Sequence, residues 1–333
     1  MARALAVALI ATCTLAAVAG EVPPPPARVS NGSAPAVPAS QRRGASQPLY
    51  APVINPSVPL SITFAGQEIS LDRTDLYERV DRELTSLVFG HSNTLLTIKR
   101  ANRYFPIMAP ILKRNGVPLD FLYLACIESY LSLRAYSPAH AAGLWQFLAA
   151  TGKQYGLEVS DEVDERYDPE KATEAACKYL KAGYNRYGNW ASVAASYNAG
   201  MGKISNELSA QQASSALDLY LTEETSRYVP RILAMKMVME QPHAYGFYLD
   251  ESQLYQPITY KVVEVTGRVS DWPTWAKEHG MSYLQLRELN PWIRSKSLTN
   301  KAGKSYKVKV ATQRDFKISN RTFVTYNNNW ISK

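Results

Sequence analysis

The sequence is poor in the residues that staple small proteins or bind metals, with three cysteines and four histidines among 333 residues. Cys13 sits in an N-terminal apolar run, which leaves Cys126 and Cys177. In an oxidising compartment these two could pair, and two buried free thiols suit their apolar helical surroundings equally well. Neither has the setting of a nucleophile. His91, His140, His243 and His279 show no metal-ligand spacing, so no metal and no cofactor is expected. Dense basic runs are absent too. Lys and Arg outnumber Asp and Glu 37 to 29, a net charge of +8, but they are scattered. Such a balance suits an anionic polymer or lipid and equally describes an ordinary solvated surface. No internal repeat is visible, and no apolar stretch beyond the first twenty residues approaches the length of a membrane span.

What is present begins with a pattern for export. Arg3 precedes an uncharged run from Ala4 to Ala19 that closes on the small-x-small site Ala17-Val18-Ala19, so residues 1–20 are expected to be a signal peptide. The segment Ile10-Ala11-Thr12-Cys13 loosely resembles a lipoprotein processing box. Thr12 before the cysteine and the apolar residues after it both depart from that pattern. Any membrane association is therefore expected through the N-terminus alone, with the protein in the periplasm or cell envelope. Export makes nucleic acid the least fitting polymer. Residues 21–65, with Pro23 to Pro26 consecutive and much Ala and Ser, are expected to form an extended tether. Order is expected from near Ile62.

From Asp72 to about Tyr245 the apolar spacing is helical. Leu76, Val80, Leu84 and Leu87 form one stripe. A second run from Thr94 through Ile98 and Tyr104 to Ile107 should bend or break at Pro106 and stop at Asn115-Gly116. Pro118 should open a helix that carries Leu119, Leu122, Ala125 and Cys126 and has Glu128 near its end. Asp168 should cap a helix with Pro169 at its first position, ending by Gly188. Asn189 should cap the next, which breaks at Gly200 and Gly202. A last helix should run from near Thr222 through Tyr228 toward Met239. After Tyr255 the character changes: Ile258–Val263 reads as a strand, Asp271–Glu278 and Tyr283–Leu289 as short helices, and Ser305–Val310 as a closing strand. Beyond Ala311 only Phe323–Tyr326 suggests a further strand.

Glu128 follows the apolar run Phe121–Ile127. Burial there would raise its pKa into the range of a general acid; a glutamate emerging into solvent at a helix end would sit in the same place. Downstream, Ser137-Pro138 opens a turn, and Ala142-Gly143-Leu144-Trp145-Gln146-Phe147 offers small residues, an amide and aromatics, with a helix expected to start among them. Sugar sites combine hydrogen-bonding groups with flat apolar faces in this way.

Glu128-Ser129-Tyr130, Ser137-Pro138, Ala142–Phe147, Tyr197-Asn198-Ala199-Gly200, Glu224-Thr225 and Tyr228–Leu233 follow one another in an order and spacing that resemble the soluble lytic transglycosylase (SLT) family, in particular its membrane-bound murein transglycosylase D type. The resemblance covers about residues 95–245. It implies a mainly α architecture, with a lysozyme-like domain of the goose-type or SLT kind over 66–250. It also implies that Glu128 is the catalytic acid and base, that Ser137 and Gln146 hold substrate, that Tyr197 faces the catalytic glutamate, and that Glu224 and Tyr228 line the cleft. The implied reaction cleaves the β-1,4 bond between N-acetylmuramic acid and N-acetylglucosamine in peptidoglycan and leaves a 1,6-anhydromuramic acid end. A family of this kind needs one carboxyl group where most glycosidases need two, because the substrate's acetamido group assists. The acidic run Asp161, Glu162, Asp164 and Glu165 reads as a solvated loop with capping acids, with a second catalytic carboxylate as the alternative. The βααβ segment 256–312 resembles a LysM module, which implies binding of glycan containing N-acetylglucosamine; a small packing domain fits it equally. Trp272, Trp275 and Trp292 could stack on sugars and are expected rather to fill its core. Residues 313–333 are expected to be a tail. A hydrolytic goose-type muramidase and an inactive glycan-binding cell-wall protein remain the alternative functions, and the oligomeric state is not legible.

Overall fold

The computed structural model describes residues 55–332. The expected signal peptide, Cys13 and the tether up to residue 54 lie outside the described residues. Packed structure begins inside the segment expected to be tether. Ser61–Phe64 (β1) pairs antiparallel with Gln67–Ser70 (β2), with Ser61 opposite Ser70. Ala65 and Gly66 both take positive φ, 52° and 79°, as a two-residue hairpin turn with the strands' own twist requires. Phe64 is buried against Phe121, 5.7 Å between ring centroids, so the hairpin is anchored in the helical core.

The helical body comprises α1 (Thr74–Phe89), α2 (His91–Arg114), α3 (Phe121–Ser129), α4 (Ala149–Gln154), α5 (Pro169–Tyr187), α6 (Trp190–Ala199), α7 (Met201–Ala210), α8 (Glu223–Ser226) and α9 (Tyr228–Glu240). The expected break in α2 does not occur. Pro106 and Pro110 are both exposed and lie one turn apart, so the missing donors fall on the solvent face. Phe105, Met108, Ile111 and Leu112 keep the buried face continuous, and that packing outweighs the lost hydrogen bonds. α3 begins at Phe121, three residues after Pro118. α5 starts as expected: the Asp168 carboxylate accepts from the amides of Glu170 (2.9 Å) and Lys171 (3.0 Å), and Gly188 ends the helix at φ 67°. Asn189 caps α6 by accepting from the Ser192 amide at 2.8 Å. Gly200 alone separates α6 from α7, and Gly202 is helical. The helix expected from Thr222 is two, interrupted at Arg227. Pro230 has no N–H to carry the ladder across that point, but it fits the first turn of α9, where amides have no helical partner anyway.

α3 and α9 are apolar on nearly every side, as helices at the centre of a core must be. α9 packs against α1, α3 and α6, and α3 also against α2. Cys126 and Cys177 are buried free thiols.

The C-terminal segment forms a second small core. Lys261–Val265 (β3) pairs antiparallel with Tyr306–Val310 (β4), with α10 (Trp272–Glu278) and α11 (Tyr283–Leu289) between them. β3 lies a few residues later than the spacing predicts. Ser282 and Gln285 form a reciprocal capping box on α11. Trp272 and Trp292 are buried in this core, and Trp275 stacks on His279, 3.7 Å between centroids. The buried Asn290 side chain donates to the carbonyls of Leu286 (3.0 Å) and Lys309 (2.8 Å) and accepts from the Lys309 amide (2.7 Å), joining α11 to β4.

After β4 the chain adds no strand; it returns to the helical body. The buried Asn102 of α2 donates to the Val324 carbonyl (2.8 Å) and accepts from the Tyr326 amide (2.8 Å), so one side chain takes the place of a strand partner. Gln256, where the chain leaves the helical body, accepts from the Val324 amide at 2.9 Å. Trp330 is buried beside Phe105 and donates its indole N–H to the Met239 carbonyl at 2.7 Å.

Candidate active site

The last turn of α3 delivers Glu128. The apolar residues before it bury the helix, and Tyr130 and Leu131 then take positive φ (49° and 52°), turning the chain sharply away. The Glu128 carboxyl group is therefore half-buried at the point where the helix stops. Burial pushes its pKa up from 4.5 to about 7, and the negative charge of Glu224 adds to the rise. Two groups oppose it: the Tyr228 hydroxyl, which donates to Glu128 Oε1, and the positive charge of Arg231. The side chain near neutrality thus holds both its acid and its base form in usable amounts.

Tyr228 and Arg231 share the first turn of α9, and Arg227, the residue just before it, completes a clamp. Glu83 of α1, 2 % exposed, accepts from Arg227 Nε and from Arg231 Nε, the latter at 2.8 Å. This buried carboxylate fixes the turn that carries Tyr228. The only sign of it in the sequence is a charged residue beside Val80 and Leu84 on the apolar stripe of α1.

Tyr197 does not place its hydroxyl on Glu128; the hydroxyl donates to the Trp145 carbonyl at 2.8 Å. Its ring lies near enough to Glu128 for the carboxylate charge to add to the burial that drives the phenol pKa well up. The hydroxyl in contact with Glu128 is that of Tyr228, which the resemblance placed only in the cleft wall. Glu224 is half-buried and accepts from Asn198 Nδ2 at 3.4 Å, so the Asn198 side chain reaches the acidic residue.

Ser137 and Gln146 belong to a loop that runs from Tyr136 to Phe147. No helix starts within it. Short antiparallel bridges join Tyr136 to Ala142 and Ala142 to Phe147, and α4 begins at Ala149. Ser137 Oγ accepts from the Ala141 amide (3.1 Å), while Gln146, at φ 48°, donates to the carbonyls of Gly143 (2.8 Å) and Ala135 (3.3 Å). Both side chains therefore brace their own loop. Ser129, next to Glu128, ties that loop to α3 by donating to the Leu144 carbonyl at 2.9 Å. His140 is exposed, with Nδ1 2.6 Å from the Tyr136 hydroxyl.

The acidic run is not a solvated loop. Asp164 and Glu165 are buried, Asp164 paired with Arg166 and Glu165 with Lys171, and Glu162 accepts from the Thr299 hydroxyl at 2.9 Å. Among the described residues no group of three or more His, Cys, Asp or Glu side chains is arranged to hold a metal ion. No described helix is long and apolar enough to cross a membrane.

Residues 106–219 match the transglycosylase SLT domain family, and residues 261–314 match the soluble lytic transglycosylase C-terminal LysM-like domain. The first match stops short of Glu224 and Tyr228. The membrane-bound lytic murein transglycosylase D of Escherichia coli strain K12 is 27% identical over 246 residues, 71% of this chain and 52% of that protein. The chain thus spans about half the length of this curated relative. The peptidoglycan transglycosylase gp16 of Escherichia phage T7 is 38% identical over 95 residues, 28% of this chain and 7% of that one. Among solved structures, the 70 kDa soluble lytic transglycosylase of Escherichia coli overlaps 51% of this chain and 31% of its own, at 18% identity and a TM-score of 0.38. The chain joins a transglycosylase SLT domain to a LysM-like domain of the soluble lytic transglycosylase C-terminal kind, and it is homologous to the membrane-bound lytic murein transglycosylases D.

Proposed function

We propose that this protein is a peptidoglycan lytic transglycosylase in which Glu128 serves first as acid and then as base. The observation that carries the reading is the state of Glu128: a half-buried carboxyl group with its pKa raised to about 7, held by the Tyr228 hydroxyl inside an SLT domain. In the first step protonated Glu128 gives its proton to the glycosidic oxygen, which links muramic acid C1 to glucosamine C4. The C1–O bond breaks and the acetamido carbonyl oxygen of the same muramic acid bonds to C1. In the second step the Glu128 carboxylate takes the proton of the 6-hydroxyl, O6 bonds to C1, and the acetamido oxygen leaves. Glu128 ends protonated, ready for another turnover, and no water enters. Besides bracing their loop, Ser137 through its hydroxyl proton and Gln146 through its amide oxygen hold the substrate; Glu224 lines the cleft, and Tyr197 and Tyr228 shape the wall around Glu128.

A two-carboxylate mechanism has little to draw on here. The buried Asp164 and Glu165 are held in ion pairs with Arg166 and Lys171, and Glu162 is bound to Thr299. Glu224 acts on Glu128 through its charge. The substrate class is the glycan strand of peptidoglycan, in the periplasm or cell envelope. The decisive experiment is mass analysis of murein digested by the wild type and by Glu128→Gln. The expected result is 1,6-anhydromuramic acid products from the wild type and none from the variant. Products with free reducing ends and no anhydro species would instead assign a hydrolase of the goose-type lysozyme kind, and no product from the wild type would leave a glycan-binding protein.

A further inference from the structure

We propose that the LysM-like domain acts as a fixed buttress of the substrate-holding loop, working through Arg166, and not as a binding arm that moves apart from the catalytic domain. The proposal rests on the reading of the Glu128 site as a glycan-cleaving centre. Its foundation is the segment 158–167, which joins the LysM-like domain on one side and the loop of Ser137 and Gln146 on the other. On one side, Val163 is buried among the hydrophobic residues of the LysM-like domain and bridges to Ile293. The Asp164 amide donates to the Trp292 carbonyl (2.8 Å), and the Arg294 amide donates to the Glu162 carbonyl (2.8 Å). Lys304 Nζ and the Tyr306 hydroxyl both donate to Glu158, at 2.8 and 3.1 Å, and the Arg294 guanidinium lies 4.4 Å from the centre of the Tyr167 ring. Backbone hydrogen bonds, an apolar residue buried in the LysM-like core and charged pairs together leave no hinge at this junction.

On the other side the same segment grips the loop that carries Ser137 and Gln146. Arg166 is buried. Its Nε and Nη2 fork onto the Asp164 carboxylate at 2.9 and 2.7 Å. Its Nη1 donates to the carbonyls of His140 (2.8 Å) and Phe147 (3.0 Å), which lie near the middle and at the end of the loop. Gly143, at φ 78°, packs so closely on the Arg166 backbone that a Cβ there would come within 1.9 Å of the Arg166 carbonyl oxygen. Ser129 and Tyr197 hold the Leu144 and Trp145 carbonyls from the side of Glu128. The loop is therefore suspended between two sets of donors, one built on the catalytic helices and one built on the LysM-like domain through Asp164 and Arg166. Only a planar guanidinium can bind a carboxylate bidentately and still donate to two carbonyls. Arg166 is on this view a positioning residue for substrate, and a displacement of the loop should reach binding before it reaches proton transfer.

The test uses the full chain and a soluble peptidoglycan tetrasaccharide, a ligand confined to the cleft. The variants are Arg166→Lys, which keeps the charge and loses the fork, and Ile293→Ala, which loosens the junction from within the LysM-like domain. Both are expected to raise KM about tenfold, to leave the pH midpoint of the Glu128 limb in place, and to speed hydrogen exchange at the amides of Ala142 and Gly143. Unchanged KM and unchanged exchange in Ile293→Ala, with weaker binding to intact sacculi alone, would make the domain an independent arm and overturn the proposal. A fall in kcat matching the folded fraction, with KM and loop exchange unmoved, would overturn it as well. Should the wild type fail to cleave the tetrasaccharide, the reading of the site falls, while the exchange rates still decide whether the domain supports the loop.

Discussion

Replacing Tyr228 with Phe takes one hydroxyl from Glu128 and leaves the buried ring in place. In the wild type that hydroxyl donates to the carboxylate and so favours the charged form, opposing the burial that raises the Glu128 pKa to about 7. A hydrogen bond to a charged group contributes about 1.5–3 kcal/mol, and one pKa unit corresponds to about 1.4 kcal/mol. Tyr228→Phe should therefore move the midpoint of the Glu128 titration upward by roughly 1–2 pH units. The first step needs the protonated acid, so the alkaline limb of kcat/KM should extend to higher pH by that amount. Tyr228 and Tyr197 do not titrate in this window, because burial drives both phenols well above their usual range. Arg231 and Glu224 remain as the charged groups acting on Glu128, one lowering and one raising its pKa. Glu224→Gln should accordingly shift the limb the opposite way, to lower pH. The assay is release of anhydro product from a soluble tetrasaccharide across pH 5 to about 10. An alkaline limb that stays put, or moves down, in Tyr228→Phe would refute the assignment of Glu128 as the titrating acid.

The raised Glu128 pKa also carries a stability cost. A carboxyl group with a folded pKa above its unfolded one contributes no penalty below about pH 4.5 and destabilises increasingly as pH rises through about 7, so Glu128→Gln should raise Tm at pH 8 but not at pH 4. The limit of that gain is roughly 3 kcal/mol, reduced by the partial exposure of the group; equal Tm differences at both pH values would contradict it. Glu83→Gln leaves Arg227 and Arg231 without their shared buried carboxylate and should cost about 3–5 kcal/mol in urea unfolding. With the Arg231 charge no longer neutralised, it should also move the Glu128 limb to lower pH. Trp330→Ala empties a buried site between the tail and α2, with an expected loss of about 3–5 kcal/mol by the same measurement.

Much of this architecture is legible in the residues, where local chemistry decides. Asp168-Pro169 with Gly188, Asn189 before Trp190, and Ser282 with Gln285 each specify a helix end by satisfying amides within a few residues, and the structure places those ends where the spacing predicts. Pro106 misleads because its cost is local while the gain that offsets it comes from the buried face of α2, seen only once the helix is packed. The acidic run misleads for the same reason. Asp164 and Glu165 look solvated until Arg166, Lys171 and the LysM-like domain close over them. Within the site, the apolar run makes Glu128 only a candidate, and it is the order of the motifs around it that singles it out. Its contact with Tyr228, a hundred residues away in sequence, is not legible. Nor is the support that Glu83 gives Tyr228, which depends on how α1 lies against α9.

The closing strap has a consequence for how the folded protein meets proteases. The chain leaves the helical body at Gln256 and is pinned back to it at Val324, and the Gln256 side chain joins the departing and returning segments directly. Everything between, including the whole LysM-like domain, is held at both ends by a core to which it does not belong. A single cut in an exposed turn of that stretch, such as the one at Lys301 to Gly303, would leave two fragments still clasped by Asn102, Gln256 and Trp330. The nicked protein should migrate as one species until it is denatured.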